Sequence, residues 1–314
     1  MMNYFNKSNF GMLLLCIGFL SLSDAFATVK KDKEIIHSVF IAGPQFTGII
    51  DEKGEIEWDS GRKGARDGYV LPNGNVLICW GDEVKEFDKQ KNVIFTFKKR
   101  QEGKVELGTA VRLPNGNTLI TESSQDKPRL LEVDKNGQIV VDVPLQPDTD
   151  NVHMQTRMAR KLDNGNYLVP HLLGFAVKEY TPSGEVVKTF KTDLPELGGR
   201  EDKNWPFTAI RLKNGNTLVN LTNGNKTVEM NKEGKVVWKV SNDDFEENPF
   251  DDPCGAQRLP NGNTVIASYH ASDGIKLFEL NKKKKMVWKY MGYKVHHFQI
   301  LTTNGKPVKG TPMK

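Results

Sequence analysis

Short runs in which apolar and polar residues alternate fill most of this chain, and tight polar turns separate the runs. Strict alternation is typical of β-strands with one buried face. The strongest turn signal is Asn-Gly between two such runs, because a type I′ turn needs positive φ at both central residues and these two residues adopt it at low cost. The signal recurs, usually as Leu-x-Asn-Gly-Asn, at Asn73, Asn115, Asn164, Asn214, Asn261 and Asn304. The pattern therefore predicts a repeated β-hairpin.

A second hairpin of different sequence follows each Asn-Gly hairpin. It consists of an apolar strand that carries a glutamate, a tight turn such as Asp-x-x-Gly, and a further apolar strand, as in the stretch from Glu229 to Trp238. One repeat unit therefore has four strands. The turn asparagines recur at intervals of 42, 49, 50, 47 and 43 residues, and this spacing is typical of the blades of a β-propeller.

The two ends of the chain carry complementary halves of the unit. Residues 37–58 form a second half, and residues 296–307 form a first half. Five whole units and one unit assembled from both ends predict an all-β, six-bladed propeller of four-stranded blades, in one domain over residues 37–314. Seven blades is the alternative, because a divergent blade could lie within residues 140–156 or 189–205.

Residues 1–27 have the parts of a secretory signal peptide. A lysine gives the positive start, residues 10–22 are apolar, and residues 25–27 offer a small-x-small cleavage site. We predict a signal peptide over residues 1–27, a short linker over residues 28–36, and an exported protein that is periplasmic or secreted after cleavage near Ala27. The apolar run is too short to span a bilayer, and we expect no transmembrane segment in the mature chain.

Composition and charge limit the classes of partner and cofactor that the chain is expected to bind. The formal net charge is +5, and part of the surplus is the lysine run at residues 282–285, which lies in a predicted turn. There is no basic stripe interleaved with aromatic residues, so we expect no nucleic-acid partner. We predict no cofactor. The acidic residues within 243–252 could offer oxygen ligands to Ca²⁺, but they lack the order of a calcium loop.

Cys79 and Cys254 fall on different blades and would permit a disulfide. The oligomeric state stays open.

The repeat serves as an internal control for function. A side chain found in every unit belongs to the construction of the blade. On this ground we interpret the third-strand glutamates as structural partners of basic first-strand residues, and the fourth-strand tryptophans as packing between blades. The glutamates are Glu86, Glu132, Glu179, Glu229 and Glu279; the basic partners are Arg112, Lys161, Arg211 and Arg258; the aromatic residues are Trp58, Trp238, Trp288 and Phe95.

Side chains that occur in one unit only, near the predicted opening of the central channel, are candidates for function. The ligand-binding candidates are Arg66, Trp80, Glu122, Arg157, Trp205, Tyr269, His270 and His296. Arg66, Arg157 and His297 each lie seven residues before an Asn-Gly turn, and together they predict a cationic rim suited to a carboxylate, sulfate or phosphate. The catalytic candidates, in order of preference, are His297, His171 and His153.

The unit Leu-Pro-Asn-Gly-Asn-Thr-Leu-Ile, followed by Glu-x-Asp-x-x-Gly-x-Val-Val-Trp, resembles the blades of the bacterial arylsulfate sulfotransferase and PQQ-like propellers. The resemblance covers nearly the whole mature chain. It implies six blades and a channel histidine that accepts sulfate with help from further histidine and arginine residues. The vicinal cysteine pair of PQQ enzymes is absent from this sequence, so the resemblance does not imply a PQQ cofactor.

Three functions follow from this sequence. The first is a propeller that binds a polar, anionic small ligand, such as a saccharide or a sulfated or carboxylated aromatic compound, at the mouth of the channel. The second is an enzyme of arylsulfotransferase-like, lyase or hydrolase type that uses a channel histidine. The third is a protein-interaction scaffold. Whether the protein is an enzyme stays open at the level of sequence.

Overall fold

A computed structural model describes residues 34–271 and 274–309. These residues contain twenty-five β-strands and three single-turn 3₁₀ helices, and they belong to a compact unit that begins at Ile35. The predicted signal peptide, residues 1–27, lies outside the described residues. Within the described ranges no helix is long and apolar enough to cross a bilayer.

The strands form six antiparallel sheets, which are the blades of a propeller. Blade I takes β1 (His37–Ala42), β2 (Thr47–Ile50) and β3 (Ile56–Asp59) from the start of the chain. Blade II is β4 (Asp67–Val70), β5 (Val76–Cys79), β6 (Glu83–Phe87) and β7 (Val93–Lys98). Blade III is β8 (Val105–Arg112), β9 (Thr118–Ser124), β10 (Arg129–Val133) and β11 (Ile139–Pro144). Blade IV is β12 (Arg160–Lys161), β13 (Tyr167–His171), β14 (Ala176–Tyr180) and β15 (Val186–Lys191).

The remaining strands complete the ring. Blade V is β16 (Asn204–Arg211), β17 (Thr217–Asn223), β18 (Lys226–Met230) and β19 (Val236–Ser241). Blade VI is β20 (Pro253–Arg258), β21 (Thr264–Ser268), β22 (Leu277–Leu280) and β23 (Met286–Tyr290). The chain then returns to blade I with β24 (His297–Thr303) and β25 (Lys306–Pro307). The first strands of neighbouring blades contact one another at four of the six junctions, β24 with β4, β4 with β8, β16 with β20, and β20 with β24, and the first strands therefore lie nearest the axis.

The ring closes through the pairing of the two ends of the chain, as the complementary halves predict. β24 pairs antiparallel with β1, with Ile41 opposite Phe298. The amide of Ile36 donates to the side-chain oxygen of Asn304 over 2.9 Å, and the amide of Asn304 donates back to the Ile36 carbonyl over 3.0 Å. The prediction of six blades with one shared blade is confirmed.

The alternative of seven blades is not what the chain adopts. Residues 140–156 supply most of the last strand of blade III and a loop with the 3₁₀ helix Val152–Met154. Residues 189–205 supply the end of the last strand of blade IV and a loop with the 3₁₀ helix Pro195–Leu197. Both stretches are therefore long connections between blades.

The Asn-Gly turns differ in type from the sequence prediction. In the turn of blade II, the amide of Gly74 donates to the Leu71 carbonyl, and the amide of Leu71 donates to the Asn75 carbonyl, both over 2.8 Å. φ is positive at Gly74 (84°) and not at Asn73. This is a three-residue loop with a glycine bulge and not a type I′ turn. The last turn is the exception, because Asn304 and Gly305 both have positive φ between the paired residues Thr303 and Lys306.

Ion pairs join neighbouring blades at four junctions, as predicted for the repeated glutamates. The pairs are Glu86–Arg112, Glu132–Lys161, Glu179–Arg211 and Glu229–Arg258. At the junction of blades VI and I, His37 Nε2 contacts Glu279 at 2.7 Å, a partner that the sequence did not predict. At the sixth junction, between blades I and II, Ile49 occupies the glutamate position and Val70 the arginine position, and both join an apolar cluster. Trp58, Trp238 and Trp288 pack into the clusters between blades, which confirms their structural role.

Candidate functional site

The loops that precede the first strands and the loops that join second and third strands lie at the same end of the ring. We call this end of the axis the mouth. Counting five residues back from the repeated leucine of each unit gives one equivalent position per blade. The six residues at this level are Arg66, Gly108, Arg157, Phe207, Cys254 and His296. The mouth is therefore asymmetric, because each blade contributes a different side chain.

The predicted rim of Arg66, Arg157 and His297 is wrong in its third member. The last turn is the two-residue turn at Asn304, and one more residue separates it from the leucine than in the other units. Counting from the asparagine therefore shifts the position by one, and His296 occupies the level of Arg66 and Arg157. The side chain of His297 is 1 % exposed and lies one level deeper.

A charged corner of the mouth comes from blades II, III and IV. The Arg66 guanidinium donates to Glu106 Oε2 over 2.8 Å, and His153 Nδ1 contacts the same oxygen at 3.0 Å. The hydrogen bond from His153, together with the nearby Arg66 charge, lowers the pKa of Glu106 to about 2 against the effect of burial. Glu106 is therefore an ionised carboxylate that holds two side chains in place at neutral pH.

Arg157 is the buried member of this corner. It is 5 % exposed, and its guanidinium donates to the carbonyl oxygens of Thr156 and His153. Among the described residues no carboxylate forms an ion pair with it. Burial, together with the Arg66 charge, lowers the pKa of Arg157 to about 10, so the group stays charged at neutral pH. A buried cation without a paired anion is the feature expected of a group kept for an anionic ligand.

The opposite side of the mouth is an aromatic wall formed by Trp205, Phe207, Tyr269 and His296. The His296 ring stacks on Tyr269 with centroids 4.2 Å apart and 10° between planes, and it is parallel to Phe207 at 6.4 Å. Burial lowers the pKa of His296 to about 4, so the ring is neutral at pH 7. Trp205, Phe207 and Tyr269 pack in one cluster with Met158 and Cys254.

A polar group of buried side chains closes the axis beneath the mouth. We call it the floor: Asp67 and Tyr69 of blade II, Arg160 of blade IV and His297 of blade I. Arg160 donates to the Tyr69 hydroxyl over 2.6 Å and lies 3.5 Å from an Asp67 oxygen. His297 Nε2 is 3.7 Å from the other Asp67 oxygen. Burial raises the pKa of Asp67 and lowers that of His297.

The sequence prediction named only His297 among the floor residues, although a signal exists for Asp67 and Arg160. Asp67 and Arg160 each break the repeat on a first strand, because no other blade carries a carboxylate at the position of Asp67 or a basic residue at the position of Arg160. Apart from His297, the candidates named from the sequence were placed before the first strands or at the ends of the second strands, so Asp67 and Arg160, inside first strands, were not among them.

Besides His297, four predicted residues lie away from the charged corner and the aromatic wall. Trp80 is 2 % exposed in the cluster between blades I and II, with Arg62 over its ring, so its expected place on the channel face is wrong. Glu122 is fully buried in an ion pair with Arg129, and its expected place beside the channel is also wrong. The other two are His171 and His270.

Neither of these two histidines is free at the mouth. His171 is fully buried, and its Nε2 contacts the Tyr180 hydroxyl at 2.9 Å. Burial lowers the pKa of His171 to about 3. His270 is exposed and its Nδ1 contacts Asp252. Of the three predicted catalytic histidines, only His153 combines exposure with a place in the charged corner.

No metal centre or disulfide is present in the described part of the chain. Cys79 and Cys254 are both free and buried, and burial raises the pKa of each thiol. Acidic residues of the 243–252 loop pair with lysines, as in Asp244–Lys284 at 2.9 Å. Across residues 34–271 and 274–309, no three His, Cys, Asp or Glu side chains converge as metal ligands.

A cavity of about 470 Å³ lies at the opposite end of the ring, between the turns of blades IV and V. Its basic lining includes Lys161 and Arg211, which are already paired with Glu132 and Glu179. These cations serve the junctions between blades, so the mouth is the better candidate site.

Comparison with known proteins gives a family and a fold. A family model described as Mal s 1 allergenic protein-like matches residues 44–248, and the chain belongs to this family. No curated protein sequence matches.

Three solved structures share the fold. A protein of unknown function from Bacteroides caccae aligns with a TM-score of 0.72 at 20% identity over 88% of this chain and 100% of that chain. A catalytically inactive virginiamycin B lyase from Staphylococcus aureus with quinupristin aligns with a TM-score of 0.57 at 13% identity over 83% and 85%. An extracellular domain from Bacteroides thetaiotaomicron aligns with a TM-score of 0.52 at 15% identity over 85% and 37%. At these identities the similarity establishes the fold alone.

Proposed function

We propose that this member of the Mal s 1 allergenic protein-like family binds a small organic anion with a flat ring at the mouth of its propeller. A carboxylated or sulfated aromatic compound fits this description best, and an acidic saccharide is the second ligand class. The observation that carries the proposal is Arg157, a guanidinium that is 5 % exposed and has no carboxylate partner among the described residues. Export, which residues 1–27 predict, would present the mouth outside the cytoplasm.

Charge in the corner favours an anion. Two guanidinium groups, Arg66 and Arg157, face one carboxylate, Glu106, and that carboxylate is already bound by Arg66 and His153. A ligand carboxylate or sulfate would supply the missing negative charge. Arg157 presents a planar fork of donors, and such a fork matches the paired oxygens of these anions.

The aromatic wall favours a flat ring on the same ligand. Phe207 touches both halves of the mouth, because its ring lies parallel to His296 and 6.0 Å from the Arg157 guanidinium carbon. Aromatic faces stack on arenes and on the apolar faces of sugars. A compound with its anionic group on Arg157 would place its ring along Phe207 and His296.

Isothermal titration calorimetry with 4-hydroxybenzoate and phenyl sulfate tests the proposal. We expect both anions to bind, and the uncharged 4-hydroxybenzamide to bind at least about 10-fold more weakly, because a charged hydrogen-bonded pair contributes about 1.5–3 kcal/mol. Glucuronate in the same titration separates the saccharide class from the aromatic class.

The decisive variant is Arg157→Gln, for which we expect about 10- to 100-fold weaker binding of both anions. Arg200→Gln is the matched control, since Arg200 is an arginine of the same face that already has a carboxylate partner, Asp193. Circular dichroism and the Tm of each variant show whether the fold is kept. Equal binding by the wild type and a folded Arg157→Gln variant would refute the proposal.

A further inference from the structure

We propose that His153 is a general base at the mouth, positioned by Glu106, and that it activates water to hydrolyse an aryl ester whose anionic group is held by Arg157. This inference rests on the proposed function, because it uses the same anion site. It adds an activity, hydrolysis, and a substrate class, esters of phenols that carry a carboxylate or sulfate.

The contact with Glu106 fixes the state of the imidazole. A carboxylate accepts hydrogen bonds only, so His153 Nδ1 must carry the proton that it shares with Glu106 Oε2 at 3.0 Å. The other ring nitrogen, Nε2, then has its lone pair available. It has no hydrogen-bond partner in the described ranges, and the side chain is 58 % exposed. A base oriented by a carboxylate is the arrangement that acid–base catalysis requires.

Arg66 holds the carboxylate in turn. Its guanidinium donates to the same Glu106 oxygen over 2.8 Å and to the Leu107 carbonyl over 3.2 Å. Three side chains from three blades therefore form a chain from arginine through carboxylate to histidine. Glu106 acts on a ligand through His153 and is a positioning residue.

The base and the anion site are on the same short segment. The Arg157 guanidinium donates to the backbone carbonyl of His153, and His153 belongs to the single-turn helix Val152–Met154. The guanidinium that binds the ligand thus also fixes the backbone that carries the base. A ligand on Arg157 would lie beside the exposed imidazole.

Water is the nucleophile that this site favours. The two thiols of the described chain, Cys79 and Cys254, are buried, and their raised pKa values keep them protonated. His171 and His297 are buried as well. The His153 side chain is exposed, so water reaches its free ring nitrogen. Hydrolysis is the reaction that these observations favour.

The step balances with water as the co-reactant. His153 Nε2 takes a proton from water while the water oxygen forms a bond to the ester carbonyl carbon. The bond from that carbon to the phenolic oxygen then breaks. The phenolate takes the proton from the imidazolium, which returns His153 to its neutral form. The products are a carboxylic acid and a phenol.

Hydrolysis of 4-acetoxybenzoate to acetate and 4-hydroxybenzoate, followed by absorbance from pH 5 to pH 9, tests the inference. We expect turnover above the rate in buffer, with a limb that rises as a histidine loses its proton. We expect His153→Ala to lower kcat/KM by about 100-fold and to lose that limb. Added imidazole should restore part of the rate, since it can occupy the space left by the side chain.

Two further variants separate catalysis from structure. Glu106→Gln should keep a base but lose the carboxylate that orients it, so kcat should fall by about 10-fold while KM stays unchanged. Glu83→Gln is the control, because Glu83 also pairs with an arginine of this face, Arg62, but contacts no histidine. We expect Glu83→Gln to behave as the wild type.

Titration of 4-hydroxybenzoate on the same proteins distinguishes this inference from the proposed function. If the anion binds but His153→Ala hydrolyses the ester at the wild-type rate, or the wild type hydrolyses it no faster than buffer does, the catalytic inference is refuted and the binding function stands. If the anion does not bind at all, both are refuted.

Discussion

Glu106 is the residue on which the charged side of the mouth depends. One of its oxygens accepts from both Arg66 and His153, so a single substitution would release a guanidinium and an imidazole together. His153 would lose its orientation, and Arg66 would keep only its hydrogen bond to the Leu107 carbonyl. A change at this position should therefore alter stability as well as chemistry.

The pH dependence of that stability has a definite sign. The pKa of Glu106 falls from the ordinary 4.5 to about 2 in the folded protein, through the His153 hydrogen bond and the Arg66 charge against the effect of burial. A lowered pKa stabilises the fold above pH 4.5, and this contribution is lost as the pH falls toward 2.

We therefore predict that Glu106→Gln has a lower Tm than the wild type at pH 7 and that the difference shrinks as the pH falls from 4.5 toward 2. Differential scanning calorimetry across this range measures it. Glu83→Gln gives the comparison for a carboxylate without the histidine contact. A constant difference at every pH would contradict the role given to Glu106.

Individual site residues were predictable where they break the repeat before a first strand. Arg66, Arg157, Trp205 and His296 were all identified in this way, and the structure brings them to one mouth. His297 was misplaced, because one additional residue before a different turn type shifts the count. Trp80 was misplaced because a single sequence does not show whether an aromatic ring at the end of a strand turns toward the axis or into the neighbouring blade.

At the scale of the elements, the junctions between blades are the units of stability. Glu132 is typical: it accepts from Lys161, from the Tyr167 hydroxyl at 2.6 Å and from Asn117 at 3.1 Å. Burial raises the pKa of Glu132, but these hydrogen bonds outweigh it and the pKa is lowered. The carboxylate therefore joins blades III and IV as an anion.

We predict that Glu132→Gln lowers the free energy of unfolding by about 1–3 kcal/mol, since it leaves the Lys161 charge without a partner. The double variant Glu132→Leu with Lys161→Met should cost less than the sum of its single substitutions, because no unpaired charge remains. Urea unfolding measures each value. Glu185→Gln, on an exposed turn of blade IV, is the control, and an equal loss there would contradict the prediction.

The elements themselves were the easiest part to predict. Alternation marked the strands, and the repeated glutamate and tryptophan marked the third and fourth strands of most blades. The turn type was wrong, because Asn-Gly is compatible with two loops of different length and only the pairing of the flanking residues, such as Leu71 with Asn75, decides between them.

For the whole molecule, the pairing of β1 with β24 is the step that closes the ring. Without β24, blade I would lose its first strand together with Phe298 and Ile300, and the residues that pack against them, including Ile41 and Val265, would be exposed. Closure therefore couples the stability of all blades to a contact between residues far apart in sequence.

We predict that a chain ending at residue 295 does not unfold cooperatively. A circular permutant that joins residue 309 to residue 34 through a short linker, and that opens at the exposed pair Gly103 and Lys104, should fold. Its Tm should stay within about 4 °C of the wild type, a shift that about 1 kcal/mol produces in a protein of this size. Thermal unfolding followed by circular dichroism tests both, and cooperative unfolding of the truncated chain would contradict the role of β24.

The architecture could be predicted because the blade pattern repeats along the sequence, so an ambiguous strand in one unit can be identified from the other units. The residues of the mouth do not repeat. Contacts such as Asp67 with Arg160 depend on which side chains of non-neighbouring blades meet across the axis, and no local pattern encodes that meeting.

The Asp67–Arg160 contact determines the route by which a ligand can enter and leave the propeller. The contact joins two non-adjacent blades, and both side chains are buried. It therefore closes the central channel at this depth. A ligand would have to enter and leave through the mouth. Any product would therefore have to leave before the next molecule could bind.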